Sequence, residues 1–180
     1  MIRFHKVSYE QFKKDIIDSD FRDFSEEEIK EIYSNIKIPK RATKGSAGYD
    51  FFAPYDLIFD YNISFKFPTG IRCEMDEDTV LILVPRSSLG FKYRLGLDNT
   101  LGVIDSDYFY AKNEGHIQCK MTQNKNSFVK VNKGEAYMQG IFIKYLKTDD
   151  DNTNDVRTGG FGSTNKNNNN DNKEIEQSEN

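Results

Sequence analysis

Apolar residues follow two different periods along the chain. Within residues 1–35 they recur at helical spacing, and the first predicted helix carries Phe12, Ile16 and Ile17 on one face. The second predicted helix begins with the capping box Ser25–Glu28, whose side chains can satisfy the free amides of the first turn. Its apolar stripe consists of Ile29, Ile32, Tyr33 and Ile36. This pattern predicts an N-terminal helical extension.

From residue 36 to residue 148 the spacing of the apolar residues changes. Short apolar or alternating runs, such as "LIFDYNISFKF", "TVLILVP" and "AYMQGIFIKYL", recur between turn signals, and no helical period is visible. Such spacing favours a sandwich or closed β-barrel over βαβ units. We therefore expect an all-β fold for this part of the chain.

The C-terminal part contains few apolar residues. The acidic, polar segment "TDDDNTNDV" reads as a linker that leads into the glycine-rich segment "RTGGFGST", and the asparagine-rich residues 165–180 are expected to be disordered. The predicted organisation is thus a helical extension (1–35), a β-domain (36–148), a linker with a glycine-rich arm (149–164) and a disordered tail (165–180).

Charge and composition exclude several classes of function. The 25 basic and 29 acidic residues give a net charge of −4, and no basic block is present. This argues against a nucleic-acid polymer as the main partner, although a small anion could be bound locally. No apolar run approaches the length of a membrane span, and the N-terminus has no apolar signal region. We expect an intracellular, soluble, cytoplasmic protein without a membrane partner.

The cysteines and histidines do not indicate a zinc site. Cys73 and Cys119 form no CxxC motif, and His5 and His116 lie far apart in the sequence. We expect both cysteines to be reduced, buried and inert. His116 is interpreted as a strand residue.

Five short segments combine charged, amide or hydroxyl side chains with glycine or other small residues. In chain order they are "GSAGYDFFA", "PRSSLGF", "NTLGVIDSDY", "GEAYMQGIF" and "RTGGFGST". Taken singly, each has a structural interpretation: Asp105 suits a turn, Arg86 a surface ion pair, and Gln139 a barrel wall. The arginine, hydroxyls and loop amides of "PRSSLGF" would also match phosphate oxygens.

In this order and spacing the five segments resemble the motifs of the trimeric dUTPases. The matching residues are "AGYDFFA", "PRSS", "GVIDSDY", "GEAYMQ" and "RTGGFGST", and the resemblance covers about residues 36–164. It implies a homotrimeric jelly-roll β-barrel with active sites at subunit interfaces and a flexible C-terminal arm. It also implies Mg²⁺-dependent hydrolysis of dUTP to dUMP and pyrophosphate, which limits uracil in DNA and supplies dUMP for dTMP synthesis.

The resemblance assigns nucleoside recognition and the chemical step to the third motif. Asp105 would activate water for attack on the α-phosphorus. Tyr108 would pack against the deoxyribose and leave no room for a 2′-hydroxyl. Asn99, with Gly102 and Ile104, would read the uracil edge. Cytosine reverses two of the three polar groups on that edge and would leave buried partners unpaired.

The first, second and fourth motifs would hold the triphosphate. The resemblance implies that Asp50 binds Mg²⁺ through a water molecule, while the three phosphates chelate the ion. Gln139 would lie near the α-phosphate and the attacking water. Phosphate contacts are assigned to Arg86, Ser87 and Ser88.

The fifth motif resembles a mobile arm that closes over the substrate, for which its glycines are suited. Phe161 would stack on uracil, and Arg157 would reach the γ-phosphate. Gly162, Ser163 and Thr164 would bind phosphate oxygens. The preceding linker would let the arm cross to another subunit.

The chain departs from the family pattern at four places. Residues 109–114 interrupt the third motif before Gly115, beside the expected uracil pocket. Ser88 stands where glycine is usual, Ala136 replaces a common arginine, and Asn165 replaces the final glycine.

Two other functions remain open at this stage. A dCTP deaminase shares the fold, but it resembles this chain less because it lacks the glycine-rich arm. A dUTPase-like regulatory module would instead bind a protein partner, with residues 1–35 and 109–114 as contact surfaces.

Overall fold

In a computed structural model, which describes residues 1–19, 23–155, 157 and 159, most regular structure is antiparallel β-strand. The strands are β1 (Arg3–Lys6), β2 (Lys40–Arg41), β3 (Tyr49–Phe52), β4 (Leu57–Phe59), β5 (Ser64–Pro68), β6 (Ile71–Glu74), β7 (Thr79–Pro85), β8 (Leu95–Leu97), β9 (Gly102–Ile104), β10 (Gln118–Gln123), β11 (Val129–Val131) and β12 (Ala136–Lys144). The helices are α1 (Tyr9–Ile17), α2 (Glu26–Asn35), α3 (Ser87–Tyr93) and a 3₁₀ helix (Ser106–Tyr110).

Pairing between distant strands builds the sheets. One sheet has five strands in the order β2-β3-β12-β7-β9, and another has three in the order β5-β10-β8. Two smaller pairs, β1-β6 and β11-β4, complete the pairing among the described residues. The alternation expected of half-buried strands is clearest in β7, where Thr79, Leu81 and Leu83 are buried and the residues between them are partly exposed.

The strands and the N-terminal helices contribute to one apolar core. Phe59, Phe65 and Phe67 belong to it, with ring centroids 4.7 Å apart for Phe59 and Phe65. Phe12 and Ile16 of α1 belong to the same cluster and are fully buried. The N-terminal helices are therefore packed on the β-domain.

Side-chain caps begin both N-terminal helices. The predicted capping box of α2 is confirmed: Glu28 N donates to Ser25 Oγ at 3.2 Å, and Ser25 N donates to Glu28 Oε2 at 2.8 Å. At α1, Ser8 Oγ accepts from Gln11 N at 3.1 Å. Such caps need only residues three positions apart, and each contributes about 1 kcal/mol.

The expectation that residues 1–35 are helical is wrong at its N-terminal end. Residues Arg3–Lys6 form β1, which pairs antiparallel with β6. The ring of Phe4 packs on Phe51 and Phe142, with centroids 5.5 and 5.4 Å away. This packing and the pairing with β6 favour an extended strand here over a helix. Ile17, expected on the buried face of α1, is 64% exposed because it ends the helix about 100° round from Ile16.

The absence of helix between residues 36 and 148 is also corrected. The expected loop after β7 contains α3, and the chain after β9 forms the 3₁₀ helix. Elements of five to seven residues span less than two turns, so they leave no visible period in the sequence.

Cys73 and Cys119 are buried and form no disulfide, as expected. Burial raises the pKa of the Cys73 thiol to about 12 and that of Cys119 still further. Neither thiol is therefore ionised near neutral pH. In the described part of the chain, no helix has the length and apolarity needed to cross a membrane.

Candidate active site

A β-bulge brings together the carboxylate of the first motif and the amide of the fourth. β12 pairs with β3 so that Ala136 lies opposite Phe52, but Met138 lies opposite Phe51. The extra residue between them shifts the register, and Gln139 therefore faces Asp50. Gln139 Nε2 donates to Asp50 Oδ1 at 2.8 Å.

The glycine of the first motif makes this contact sterically feasible. A Cβ atom at Gly48 would lie 3.2 Å from Gln139 Cδ and 3.3 Å from Gln139 Oε1. Any larger side chain would push the Gln139 amide away from Asp50. Asp50 itself is 7% exposed and is anchored by the β2–β3 and β3–β12 ladders.

The third motif places a carboxylate at the end of a strand. Asp105 follows β9 directly, is exposed, and precedes the 3₁₀ helix. The guanidinium of Arg157 forms an ion pair with Asp105 and donates from Nε to Asp107 Oδ1 at 2.8 Å. Its Cζ atom lies 5.8 Å from the ring centroid of Tyr108.

This Arg157 contact is made within one chain. The expectation from the sequence places Arg157 on a phosphate in a neighbouring subunit's site. Carboxylates and phosphates both accept the forked donors of a guanidinium, so Arg157 has the chemistry to pair with either.

Tyr108 is buried, and its hydroxyl is bonded to Asn113 of the insertion and to His116 just after it. It is 4% exposed, its hydroxyl donates to His116 O at 2.8 Å, and Asn113 Nδ2 donates to the same hydroxyl at 2.8 Å. Burial raises the pKa of Tyr108, while the hydrogen bond from Asn113 works against that shift. Gly115 closes the turn at φ +67°, where an added Cβ would lie 2.5 Å from Tyr108 O.

The insertion is anchored to the N-terminal segment. Arg72 donates to Phe109 O at 2.6 Å and stacks over the Phe109 ring at 3.7 Å. Glu114 accepts from Ser8 Oγ at 2.6 Å and from Ser8 N at 2.8 Å, at the start of α1. These contacts set the position of the loop that faces Tyr108.

A cavity of about 410 Å³ opens beside the β8–β9 connection. Its wall includes Asn99, Gly102 and Ile104, the three residues expected to read the base. A Cβ at Gly102 would approach Leu83 Cβ to 3.0 Å, so glycine lets β9 lie close to β7. Further lining residues, which the sequence reasoning did not identify as site residues, are Asp15, Asn113 and Gln118.

Asp15 is the hub of a network that joins α1 to this cavity. His116 Nε2 accepts from Gly70 N at 2.8 Å, so the ring hydrogen is on Nδ1, which contacts Asp15 Oδ2. Gln118 Nε2 donates to the same oxygen at 3.0 Å, and Gln11 Nε2 at 2.8 Å. Burial opposes the charge on Asp15, but the hydrogen bonds from His116 and Gln11 outweigh it and hold the Asp15 pKa below its usual value.

His116 is fully buried and lies just before β10, so it is not a strand residue. The only sequence signal for this network was the insertion itself, which lies beside the third motif. Asp15 and Gln118 are 103 positions apart, and no local pattern links them.

The expected phosphate-binding residues lie at the end of β7. Arg86, Ser87 and Ser88 are all exposed at the start of α3. The Arg86 amide donates to Tyr137 O at 2.9 Å, which ties this turn to β12, close to Gln139. Four arm residues with expected roles lie outside the described residues: Phe161, Gly162, Ser163 and Thr164.

The expected site is therefore present as four separate groups. One is the Asp50–Gln139 pair, one is Asp105 with Arg157, one is the cavity wall around Asn99, and one is the exposed turn of Arg86, Ser87 and Ser88 at the start of α3. Within the part of the chain that the structure describes, no hydrogen bond or ion pair links the Asp50–Gln139 pair to Asp105.

Comparison with known proteins shows similarity to one family over most of the chain. The sequence model of the dUTPase family matches residues 34–165. A deoxyuridine 5′-triphosphate nucleotidohydrolase of Lactococcus lactis subsp. lactis is 41% identical over 134 residues, covering 73% of this chain and 89% of the relative. A second enzyme of that name, from Tolumonas auensis, is 30% identical over 141 residues, covering 74% of this chain and 90% of the relative.

Solved structures show the same fold. The crystal structure of a dUTPase from Streptococcus mutans superposes with a TM-score of 0.60 at 31% identity, covering 81% of this chain and 98% of that chain. A dUTPase of phage phi11 of S. aureus, described with a structural Mg(II) ion, has a TM-score of 0.58 at 15% identity, covering 86% of this chain and 97% of that chain. The likeness confirms the expected jelly-roll β-barrel.

Proposed function

The chain belongs to the dUTPase family, and from this premise we propose that it hydrolyses dUTP to dUMP and pyrophosphate by an Asp105-activated water. The observation that carries the mechanism is the connection from β8 through β9. It places Asn99, Gly102 and Ile104 on the wall of the cavity and continues directly into Asp105, three residues before the buried Tyr108.

In this mechanism Asp105 takes a proton from water as the water attacks the α-phosphorus. An exposed carboxylate at a strand end is accessible to water, and general-base catalysis contributes about 10²–10⁴ in rate. In the structure, the Arg157 guanidinium is paired with the Asp105 carboxylate. Transfer of Arg157 to a phosphate oxygen would free the carboxylate, because the forked guanidinium matches both anions.

Binding of the triphosphate would draw on the turn at the start of α3, on the Asp50–Gln139 pair and on the arm. Arg86, Ser87 and Ser88 are exposed and free to meet phosphate oxygens. Gln139, held by Asp50, would position the α-phosphate and the attacking water. Phe161, Gly162, Ser163 and Thr164 keep the roles expected of the arm.

The residues present fit Mg²⁺ bound mainly by the substrate. No cluster of three His, Cys, Asp or Glu residues suited to a metal occurs among the described residues. Mg²⁺ typically keeps several waters and is held by one or two carboxylates together with substrate phosphates. Asp50 would therefore hold the ion through water, and the ion would neutralise the charge of the phosphates.

We further propose that the enzyme is a homotrimer with active sites at its subunit interfaces. The separation of the Asp50–Gln139 pair from Asp105 supports this assembly, because neighbouring chains could supply the missing groups. The domain division at residues 35, 148 and 164 and a cytoplasmic location remain part of the proposal. Such an enzyme would limit uracil in DNA and supply dUMP for dTMP synthesis.

The test of function is product analysis with Mg²⁺ and each of dUTP, dCTP, dTTP and UTP. Pyrophosphate should be released from dUTP far faster than from the other three. Release of ammonia from dCTP would instead identify a deaminase. Binding to a protein without any turnover of dUTP would identify a regulatory module.

Mixed trimers test whether the arm acts in a neighbouring subunit. A chain that ends at Asp149 lacks the arm, and Asp105→Asn lacks the base, so each should be nearly inactive alone. In mixed trimers an intact Asp105 can meet an intact arm only if the arm crosses between chains. Recovery of activity supports exchange, whereas persistent inactivity of purified mixed trimers favours the Arg157–Asp105 pairing within one chain.

A further inference from the structure

The loop that carries Tyr108 contains a turn whose backbone is strained. Glu114 has a φ of +58°, in the left-handed region that is unfavourable for a residue with a Cβ atom. Such a conformation persists only where the surrounding structure holds it. Both oxygens of the Glu114 carboxylate accept hydrogen bonds from Ser8, one from Oγ at 2.6 Å and one from N at 2.8 Å. The contact with Ser8 therefore stabilises the turn.

The charge of Glu114 suits the place that it occupies. Its carboxylate lies at the N-terminus of α1, where Ser8 is the capping residue. Burial opposes the charge on Glu114, but the hydrogen bonds from Ser8 outweigh it and hold the Glu114 pKa below its usual value. An ionised carboxylate can only accept hydrogen bonds, and the helix dipole favours an anion at this end. The contact thus joins one charged acceptor to two donors.

The position of Ser8 is set by the residue before it. The Val7 side chain is buried, and its backbone N donates to Gly70 O, between β5 and β6, at 3.1 Å. The carbonyl oxygen of Val7 accepts from the Tyr33 hydroxyl of α2 at 2.7 Å. Ser8 therefore follows a residue that is anchored both to the β-domain and to α2.

The turn at Glu114 contacts the backbone that carries Tyr108. Gly115 comes so close that an added Cβ would lie 2.5 Å from Tyr108 O and 2.7 Å from Phe109 Cα. Within the loop, Ala111 N donates to Tyr108 O at 3.0 Å, and Glu114 N donates to Ala111 O at 2.8 Å. Two successive hydrogen bonds and the close approach of Gly115 thus connect Glu114 to Tyr108. A displacement of the turn would be passed on to the tyrosine.

Other contacts hold the loop on either side of this turn. Arg72 donates to Phe109 O at 2.6 Å, and Asp15 contacts His116. Ser8 supplies the contact at the turn between these two positions. Three residues of the chain before β7, two of them in the N-terminal segment, therefore hold the loop at successive points.

We propose that Glu114 is a positioning residue for sugar selection: by binding Ser8 of the N-terminal segment, it places the Tyr108 ring where the ring excludes a 2′-hydroxyl. This inference rests on the proposed function of the same site. The N-terminal segment thereby contributes to the choice between dUTP and UTP, although the family match begins only at residue 34. Ser8 and Glu114 are 106 positions apart in the sequence.

Ser8→Ala tests the proposal, and Ser25→Ala is the matched control. Each change removes the hydroxyl that caps an N-terminal helix, so the two should cost comparable stability. Ser8 donates to Glu114, whereas Ser25 exchanges hydrogen bonds with Glu28 of α2. The readouts are kcat/KM for dUTP and UTP, binding of their non-hydrolysable α,β-imido analogues, and amide hydrogen exchange of residues 106–116.

We expect Ser8→Ala to lower the preference for dUTP over UTP by about three- to tenfold, below the roughly hundredfold that a misplacement of about 1 Å can cost. Hydrogen exchange of residues 106–116 should become faster, because the turn opens more often. Ser25→Ala should keep the wild-type preference within about twofold, as a change distant from the site does. Ser8→Thr retains both the donor and the cap and should behave like wild type.

Glu114→Gly provides a second variant, because glycine adopts a positive φ without strain. It removes both hydrogen bonds from Ser8 and leaves the turn free to keep its conformation. The preference for dUTP should fall at least as far as in Ser8→Ala. The double variant should lose no more preference than Glu114→Gly alone, since Ser8 acts through Glu114.

Three results would overturn the proposal. They are a wild-type preference for dUTP in Ser8→Ala or Glu114→Gly, an equal loss of preference in Ser25→Ala, and additive losses in the double variant. Wild-type protein that binds the analogues but does not hydrolyse dUTP would instead reject the proposed function. Analogue binding and hydrogen exchange would then still test the role of Glu114, and unchanged values of both in Ser8→Ala and Glu114→Gly would overturn it.

Discussion

Tyr108→Phe separates the two roles that the tyrosine combines. The change removes one oxygen atom and keeps the ring, which is 4% exposed. It leaves two former partners unpaired, the carbonyl of the fully buried His116 and the NH₂ group of the partly exposed Asn113. The hydroxyl therefore supports the loop, whereas the ring is the part expected to exclude a 2′-hydroxyl.

The magnitude follows from these two partners. An unpaired buried polar group costs about 1–3 kcal/mol, and Asn113 can partly turn to water, so the total is about 2–4 kcal/mol. For a chain of this size that corresponds to a fall in Tm of about 4–16 °C. Both proteins must be compared at one concentration if the unfolding unit is an oligomer.

The assay combines thermal unfolding with kcat/KM for dUTP and UTP. The dUTP preference should stay within about threefold of wild type, because the ring is retained. Tyr110→Phe is the matched control, since Tyr110 is 77% exposed and its change should be neutral. An unchanged Tm in Tyr108→Phe, or a loss of the dUTP preference while the fold is retained, would refute this division of roles.

Four further changes have specific expected outcomes. Asp105→Asn should lower kcat by about 10²–10⁴, while binding of a non-hydrolysable dUTP analogue is retained. Asp107→Asn loses only an Arg157 contact and should stay active. An active Asp105→Asn would show that another group is the base. Gly115→Ala should lower Tm and weaken dUTP binding, because its Cβ would meet Tyr108 O at 2.5 Å and φ is +67°; normal values would show that the turn can move. The pKa of Asp15 is depressed in the folded state, so its stabilisation is present above the unfolded pKa of about 4 and is lost as pH falls through the folded pKa. The stability gap between wild type and Asp15→Asn in urea should therefore narrow with acid, and a widening gap would contradict the sign. Ser25→Ala should cost about 1 kcal/mol of stability by urea unfolding; an unchanged midpoint would show that the cap contributes nothing.

Much of the fold and family could be predicted because their signals are local. The capping box of α2 joins residues three positions apart, and the alternation of β7 is visible within seven residues. The third motif keeps Asn99 and Asp105 on the short strand β9 and its flanks, so the sequence order alone placed them near each other. The predicted secondary structure was wrong where tertiary contacts overrode local preference. Arg3–Lys6, for example, was expected to be helical but pairs with β6 as a strand.

The sequence by itself determined the motifs, because each is a short run whose residues are neighbours in any conformation. Only the tertiary structure decided which distant residues face one another. The bulge in β12 places Gln139 opposite Asp50, and a regular ladder would have shifted that pairing by one residue. Asp15 meets His116 and Gln118 across more than a hundred positions, because α1 packs against the strand that pairs with β10. Strand register and helix docking depend on burial summed over the whole core, and no local pattern along the chain records that sum.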